Sequence, residues 1–562
     1  MKGDAPPLIE KINKLEPSLK ALIFSLYPLV YYLFDILNYS QAGKAAVLGF
    51  FTLATLYYWR EILPKRSYLT VLLSLALLLI SVNIAFQATV RDIFGIQQDD
   101  TVVIQSIFNT NNNEASEFFI QYARQILVHV VIVAAFCVLY WVLFIKDHIT
   151  AGTGNRARKT LRGLIVTVMV TFLLVAIHFN PALRRANPLY YFPHFYLVWQ
   201  KDLQDARQIQ ESLASTAGDE SLASMHLTAA ADGKTVVFVI GESDTRKDWS
   251  LYGYPRKTNP ELEKHKDDLV VFRDVISADG STIGSITKML SPATMDKPRL
   301  WISKPNIVTI ARHLGYKVFW ITNQGTVNRG IVSVMASQAD EVIFTNSGGS
   351  RGESSLDEVV LDPYEKALDD PAGKKLIVVH ILGAHPSYNF RYPERYARFE
   401  DVYDDEVAVD LKNKHRAPWA ISFRNMYDSA ILYEDYVLSQ LLERLMKRNI
   451  PKSAWMYIAD HGQDVAHHTN FSGHNPRVKE MWEVPMLLWE SSAFKDSPIS
   501  HQVLEKRTFR ADIIDHTILG LLGAQGEFYI PQLDLTSVYY DPEKYLGPED
   551  KYLNLSAYRK TY

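Results

Sequence analysis

The sequence predicts a chain in two unlike parts: a bundle of five membrane-spanning helices, then an α/β domain built on a mainly parallel sheet. Three observations carry that expectation. Long apolar segments occur only before residue 180. From residue 233 onward, short apolar runs alternate with helical patterns. The mean hydropathy of −0.06 is high for a soluble enzyme and low for a polytopic channel, as expected if two textures are averaged. Composition closes off other classes. Lys and Arg number 59 against 62 Asp and Glu, a net charge of −3 that excludes a globally basic nucleic-acid binder. With 48% hydrophobic and 22% charged residues in 562, the chain is not wholly disordered. A single cysteine, Cys137, excludes an intrachain disulfide and any cysteine-built zinc or iron–sulfur site.

The apolar segments are Leu19–Leu37, Ala45–Trp59, Tyr68–Ala88, Gln125–Ile145 and Gly163–Phe179. Each approaches the ~20 residues that a helix needs to cross ~30 Å of hydrocarbon. The run Thr70 to Ile80 has no polar face, unlike a core helix of a soluble protein. The first run starts late and lacks a small-residue cleavage site, so it reads as a span and not as a cleavable signal. Positive charge fixes the orientation. Lys2, Lys11, Lys14 and Lys20 precede the first span, Arg60, Lys65 and Arg66 follow the second, and Lys146, Arg156, Arg158, Lys159 and Arg162 follow the fourth. The alternate loops are poor in cations, so the N-terminus is cytoplasmic and everything beyond Phe179 lies outside. Residues 1–180 therefore form the membrane part. Residues 181–232 form a connector whose Tyr190–Tyr196 stretch suits the membrane interface, with a polar helix near Gln200–Leu213.

Residues 233–562 form the third region. Val236–Ile240, Leu269–Val275, Lys317–Ile321, Leu376–Leu382, Trp455–Ile458 and Val484–Trp489 read as strands buried on both faces. Helical patterns such as Asn425–Lys447 lie between them. In sheets of this kind ligands gather beyond the carboxyl ends of the strands. Glu242 follows one apolar run and a glycine. Asp460 and His461 end another, just before Gly462. His380 lies within a third run and reads as structural, whereas His385 stands past its end. His467, His468 and His474 come later. Carboxylates and imidazoles without thiolates fit zinc, with manganese as an alternative. A hydroxyl could come from Ser281 or Thr282, presented by a turn at Gly280 at the start of a helix whose free N–H groups suit a phosphoryl anion. A plain helix cap is the competing reading of that Ser-Thr pair.

Taken together, these motifs resemble the membrane-bound phosphoethanolamine transferases of the alkaline-phosphatase/sulfatase superfamily. The resemblance runs through Gly241-Glu242-Ser243, Arg246, Ser250 to Pro260, Phe319 to Gln324, Val379 to His385, Arg391-Tyr392-Pro393 and Asp460-His461-Gly462. It is nearest to the branch that decorates the lipopolysaccharide core. It implies a C-terminal sulfatase-like domain, in the periplasm, on an inner-membrane anchor. It also implies Glu242, Asp460 and His461 as zinc ligands, and Thr282 as both a ligand and the nucleophile that becomes phosphoethanolaminylated. His385 and His474 match histidines that contact the phosphate or donor, with a second zinc as a further role. Asn323 is carried over as a substrate-binding residue. So are Thr110 and Glu114, in an outward loop that reaches toward the site.

Three departures from the family stand out. The Cys-Gly-Thr and the disulfides of the lipid A branch give way to Asp279-Gly280-Ser281-Thr282 and a chain without disulfides, Gln463 stands where the family has an acid after Asp-His-Gly, and His474 matches only by approximate spacing, with His467 and His468 as alternatives for its role. The implied reaction moves phosphoethanolamine from phosphatidylethanolamine to a lipopolysaccharide acceptor, core heptose ahead of lipid A. Phosphoglycerol transfer on the same scaffold and a non-catalytic membrane scaffold are the rival expectations. A sulfatase would need a Cys/Ser-X-Pro-X-Arg motif, and none lies near Thr282.

Overall fold

The computed structural model describes residues 39–62, 66–94, 122–140, 157–179 and 222–542, with isolated positions at 119 and between 190 and 208. Parts of 296–303, and 325–330, 347–355, 476–477 and 495–498, lie outside the description. The chain divides into two compact units, the first ending at Trp199.

The first unit holds helices α1 (Tyr39–Ile62), α2 (Arg66–Phe94), α3 (Ala123–Tyr140) and α4 (Ala157–His178). They overlap the second to fifth apolar segments in sequence, and the expected span Leu19–Leu37 lies outside the described residues. α1 packs on α4 and α2, and α2 packs on α3. Ile84, Ala85 and Ala88 of α2 form a small core against Ile132, Val133 and Phe136. Large apolar side chains point away from this core, among them Leu75, Leu79, Leu127, Val131, Ile165, Val168 and Phe172. Among the described residues, no helix is long and apolar enough to cross a membrane.

The second unit is built on a seven-stranded sheet. Its strands are β1 (Lys234–Gly241), β2 (Val270–Val271), β3 (Lys317–Thr322), β4 (Glu341–Phe344), β5 (Lys375–His380), β6 (Lys452–Ala459) and β7 (Met486–Glu490), in the order β2-β7-β6-β1-β5-β3-β4. The β6-β1-β5-β3-β4 run is parallel, and β7 and β2 close one edge antiparallel. Val236 to Ile240 are wholly buried, as a central strand covered on both faces requires. Helices α5 (Thr282–Met289), α6 (Pro418–Lys447) and α7 (Ile514–Leu522) belong to this unit. α6 begins with Pro at its first turn, where a missing N–H removes no helical bond.

Two strand expectations change in detail. Leu269–Val275 is not one strand: Val270–Val271 joins β7, whereas Asp274–Ile276 leaves the sheet to pair in parallel with Thr508–Arg510. Val484–Trp489 is a strand but runs antiparallel, a direction its apolar texture does not encode. The register then positions the chemistry. Gly241 of β1 stands beside Ala459 of β6, and Ile240 stands beside His380 of β5, so three neighbouring strands end at one level.

Candidate active site

Glu242 leaves the tip of β1, and Asp460 and His461 leave the adjacent tip of β6, where Asp460 N donates to Gly241 O at 3.1 Å. All three are buried, and their ligand-type atoms lie within 4.8 Å of one another. The turn after Glu242 is strained: Ser243 takes φ 65, a conformation that its three fixed partners impose. Its N donates to Asp460 Oδ1 (3.1 Å), its Oγ donates to Glu242 Oε1 (2.8 Å), and its O accepts from the Tyr427 hydroxyl (2.7 Å). Thus one serine ties both carboxylates together.

Thr282 opens α5 with Ser281 at the cap position, in extended conformation and making no cap bond. The two adjacent hydroxyls part ways. Ser281 Oγ donates to Asp279 Oδ1 at 3.0 Å. Thr282 Oγ1 lies 3.0 and 3.2 Å from the two Glu242 oxygens and 3.3 Å from His461 Nε2. His461 Nε2 is also 3.3 Å from Glu242 Oε1, 3.4 Å from Asp460 Oδ2 and 3.3 Å from His474 Nε2. The other nitrogen, Nδ1, sits 2.9 Å from Gly462 O, which fixes the ring and leaves Nε2 aimed at the cluster. Asp460 Oδ2 is buried without a hydrogen bond.

The electrostatics are those of a cation site. Burial alone would raise Glu242, but hydrogen bonding to His461 and the charges of His461 and His385 hold it well below the carboxylate range. Burial and the neighbouring Glu242 charge push Asp460 well above its ordinary value. Burial opposes the charge of His461, yet Asp460 and Glu242 push it up to about 9. So many acceptors at one point retain protons that a divalent cation would displace. Burial and the His461 charge hold His474 well below its usual value, and burial takes His385 down to about 4.

The 234–524 stretch matches the family model named Sulfatase. Over 460 residues the chain is 31% identical to phosphoethanolamine transferase EptC of Escherichia coli (strain K12), covering 78% of each protein. The chain belongs to the phosphoethanolamine transferases of the sulfatase family. Among solved structures, the C-terminal periplasmic domain of Escherichia coli EptC in complex with Zn aligns at TM-score 0.51 and 31% identity, over 54% of this chain and 87% of that one. The integral membrane lipooligosaccharide phosphoethanolamine transferase A of Neisseria meningitidis aligns at TM-score 0.63 and 19% identity, over 95% of this chain and 98% of that one, a likeness of fold.

In this transferase the remaining histidines divide clearly. His467 Nε2 pairs with Asp248 Oδ2 at 3.0 Å and its Nδ1 accepts from Val465 N, while His468 Nε2 pairs with Glu480 Oε2 at 2.8 Å. Both are spent on other partners, and His474 alone of the three faces His461. Asn323 stands at the tip of β3 as expected, but its side chain turns inward. It donates to Asp357 Oδ1 at 2.9 Å, accepts from Thr345 Oγ1 at 3.0 Å, and is fully buried. Its place is thus behind the site. Thr110 and Glu114 lie outside the described residues.

Three residues that sequence reasoning missed, or read only as a loss of charge, support the cluster. Gln324, next to Asn323, places Nε2 2.9 Å from Ile381 O and 3.4 Å from Glu242 Oε2. Gln463 donates to Ser243 Oγ at 3.0 Å and accepts from the Tyr388 hydroxyl, so a neutral amide braces the serine. Asp357 accepts from Leu382 N and Gly383 N, both at 2.8 Å, and so fixes the segment leading to His385. Gln324 and Gln463 had a sequence signal, their places beside strand-tip motifs, and Asp357 had none.

Proposed function

We propose that the protein transfers phosphoethanolamine from phosphatidylethanolamine to a lipopolysaccharide acceptor, core heptose ahead of lipid A, through a phosphothreonine at Thr282. The observation that carries this reading is the Thr282 hydroxyl, 3.0 Å from Glu242 and 3.3 Å from His461 at a helix N-terminus. The acceptor assignment rests on the wording of the motifs. Zinc fits the donor set: two carboxylates, an imidazole and a hydroxyl converge, and Asp460 Oδ2 accepts no hydrogen bond there. Glu242, Asp460, His461 and Thr282 would hold it, with His385 and His474 beside it for the phosphate or for a second ion. A bound zinc polarises phosphoryl oxygens and lowers the pKa of a coordinated hydroxyl.

The chain's own residues supply the rest. Glu242 orients the Thr282 hydroxyl toward the phosphorus and accepts its hydrogen bond. The bond from Oγ1 to phosphorus forms as the bond to the diacylglycerol oxygen breaks, and that oxygen takes up the proton. An acceptor oxygen then attacks the phosphorus as the bond to Thr282 Oγ1 breaks, and the acceptor's proton passes by way of His385 or His474 to Oγ1, restoring the Thr282 hydroxyl. The donor's two acyl chains keep it in a bilayer, so the catalytic unit must stand at one. Residues 1–180 as a five-span anchor with a cytoplasmic N-terminus, 181–232 as connector and 233–562 as periplasmic domain meet that need. Apolar side chains exposed on α2, α3 and α4 support the anchor. Incubation with headgroup-labelled donor should leave ethanolamine phosphate on Thr282, and Thr282→Ala should abolish both label and transfer. Label on Ser281, or transfer by the Ala variant, refutes the assignment.

A further inference from the structure

A cavity of about 400 Å³ opens among Arg246, Lys247, Arg273 and the turn Tyr252–Pro255. That is the size of a small-molecule site, and none of these residues belongs to the metal-type cluster. Most come from the Arg246 and Ser250–Pro260 motif, to which the transfer chemistry gives no task. The cations are unequally engaged. Arg246 and Lys247 share Glu483, each at 3.2 Å, and Arg246 lies 3.9 Å from Asp274. Arg273 is exposed, gives one N–H to Leu251 O at 2.9 Å and lies 5.5 Å over the Tyr252 ring. Among the described residues it forms no ion pair, so most of its planar donor fork is open to a ligand. Glu505, whose backbone carbonyl accepts from Arg273 N, tempers the field here. Selectivity for an anion therefore comes from directed donors more than from net charge.

The walls are rigid. The Tyr252 hydroxyl donates to Met486 O (3.1 Å) and accepts from Met486 N (3.0 Å), and the Tyr254 hydroxyl donates to Asp428 (2.7 Å). Both hydroxyls are therefore anchored away from any ligand, and the rings are fixed at the cavity's edge. Gly253 joins them at φ 96, where a Cβ would meet open space. Arg246 follows Glu242 by four residues, so at ~3.6 Å per residue their Cα atoms are at most about 14 Å apart. A short oligosaccharide spans that distance.

Building on the transfer reading above, we infer that this cleft is the acceptor subsite and recognises an anionic saccharide. Arg273, with Lys247, binds a phosphate carried by the sugar, and Tyr252 and Tyr254 bound its rings. Full-length protein in detergent, its Arg273→Glu, Arg273→Lys and Lys247→Glu variants, and two acceptors test this: a delipidated phosphorylated core oligosaccharide, and the same compound with its phosphates removed. Arg273→Glu should raise KM for the phosphorylated acceptor tenfold or more and Lys247→Glu should raise it less. Arg273→Lys, which keeps the charge but not the planar fork, should recover only a minor part of the loss, and KM for phosphatidylethanolamine should stay put. Removing the phosphates should raise KM for the wild type and erase the difference between wild type and Arg273→Glu. An unchanged acceptor KM in Arg273→Glu overturns the inference, as does a rise in donor KM instead, which would make the cleft a lipid-headgroup site. Calorimetric binding of the phosphorylated oligosaccharide keeps the two readings apart. Binding lost in Arg273→Glu supports the cleft even if the wild type transfers nothing, a result that would sink only the transfer reading. Binding that Arg273→Glu leaves intact overturns the cleft.

Discussion

Asp357→Asn tests whether the site depends on a buried carboxylate that contributes no atom to it. Asp357 is almost wholly buried and accepts three hydrogen bonds: Leu382 N at 2.8 Å and Asn323 Nδ2 at 2.9 Å on Oδ1, and Gly383 N at 2.8 Å on Oδ2. The segment it holds presses on the end of β1 at Glu242, because Ala384 N donates to Glu242 O at 3.1 Å and a Cβ at Gly383 would lie 2.8 Å from that same oxygen. The Asn amide keeps an oxygen for the side with two donors and turns its NH2 against the Gly383 N–H. One charge-assisted bond, worth about 1.5–3 kcal/mol, is lost and one buried donor is left unmet, at about 1–3 kcal/mol. Some relaxation will recover part of this, so we expect a net loss of about 2–4 kcal/mol. The thermal midpoint should then fall by roughly 4 °C or more. Because the displaced segment carries His385 and leans on Glu242, kcat should drop at least tenfold, the equivalent of about 1.4 kcal/mol in the barrier. Thermal unfolding and initial transfer rates on the detergent-solubilised chain measure both. A variant with wild-type midpoint and rate would refute the clamp. Asp357→Ala leaves all three donors without their acceptor at once and should fail to fold.

Three further outcomes follow from the geometry. Asp405 accepts from Arg256 at 2.7 and 3.0 Å and caps the helix Glu406–Asn413; burial would raise it, but Arg256 and the Ala408 N–H hold it below the usual carboxylate range. A depressed folded pKa gives stability that is present above the ordinary ~3.9 and lost as pH falls through the folded value. Denaturation midpoints should therefore place Asp405→Asn, which keeps the cap, about 1–3 kcal/mol below wild type at pH 7, with the gap closing as pH drops below ~4. Gly462→Ala drives a Cβ into the backbone carbonyl of Glu480; since backbone cannot step aside, about 1–3 kcal/mol of stability and bound zinc should both be lost, as unfolding and metal content will report. Chelation should stop transfer and zinc should restore it, whereas Asp460→Asn should purify with less metal and gain little from added zinc.

How much of this was legible in the sequence depends on how locally each feature is determined. The central strands show because burial on both faces leaves an unbroken apolar run, as in Val236 to Ile240. β4 does not show, since an edge strand of four half-exposed residues beginning with Glu341 has no such signature. Leu269–Val275 misleads because two short strands abut, with Phe272 and Arg273 as the joint. Glu242, Asp460 and His461 are legible because a strand end with ligand-type residues directly beside a glycine is a local pattern. Ser281 and Thr282 are equivalent as text. The choice lies in which way α5 turns its first residue, and packing sets that. Asn323 marks the limit of the method: the position at a strand tip is right, but Asp357, 34 residues away, draws the side chain inward.

The same reasoning explains why the site cannot exist before the sheet does. Thr282 lies 40 residues from Glu242 and 179 from His461, and nothing in the intervening sequence holds them together locally. What does so is the parallel register of β6, β1 and β5, which aligns three strand tips, and the turn at Ser243, which bonds to carboxylates from two of them. Bare, the cluster confines two carboxylates at close range and must hold extra protons, which works against folding. A divalent cation removes that penalty, and it can bind tightly only where the donors are already gathered. Metal affinity and folding are therefore one equilibrium here. A chain without disulfides relies on the sheet to assemble the site, and a cation held there in turn relieves the repulsion between the carboxylates gathered at the tips of the central strands.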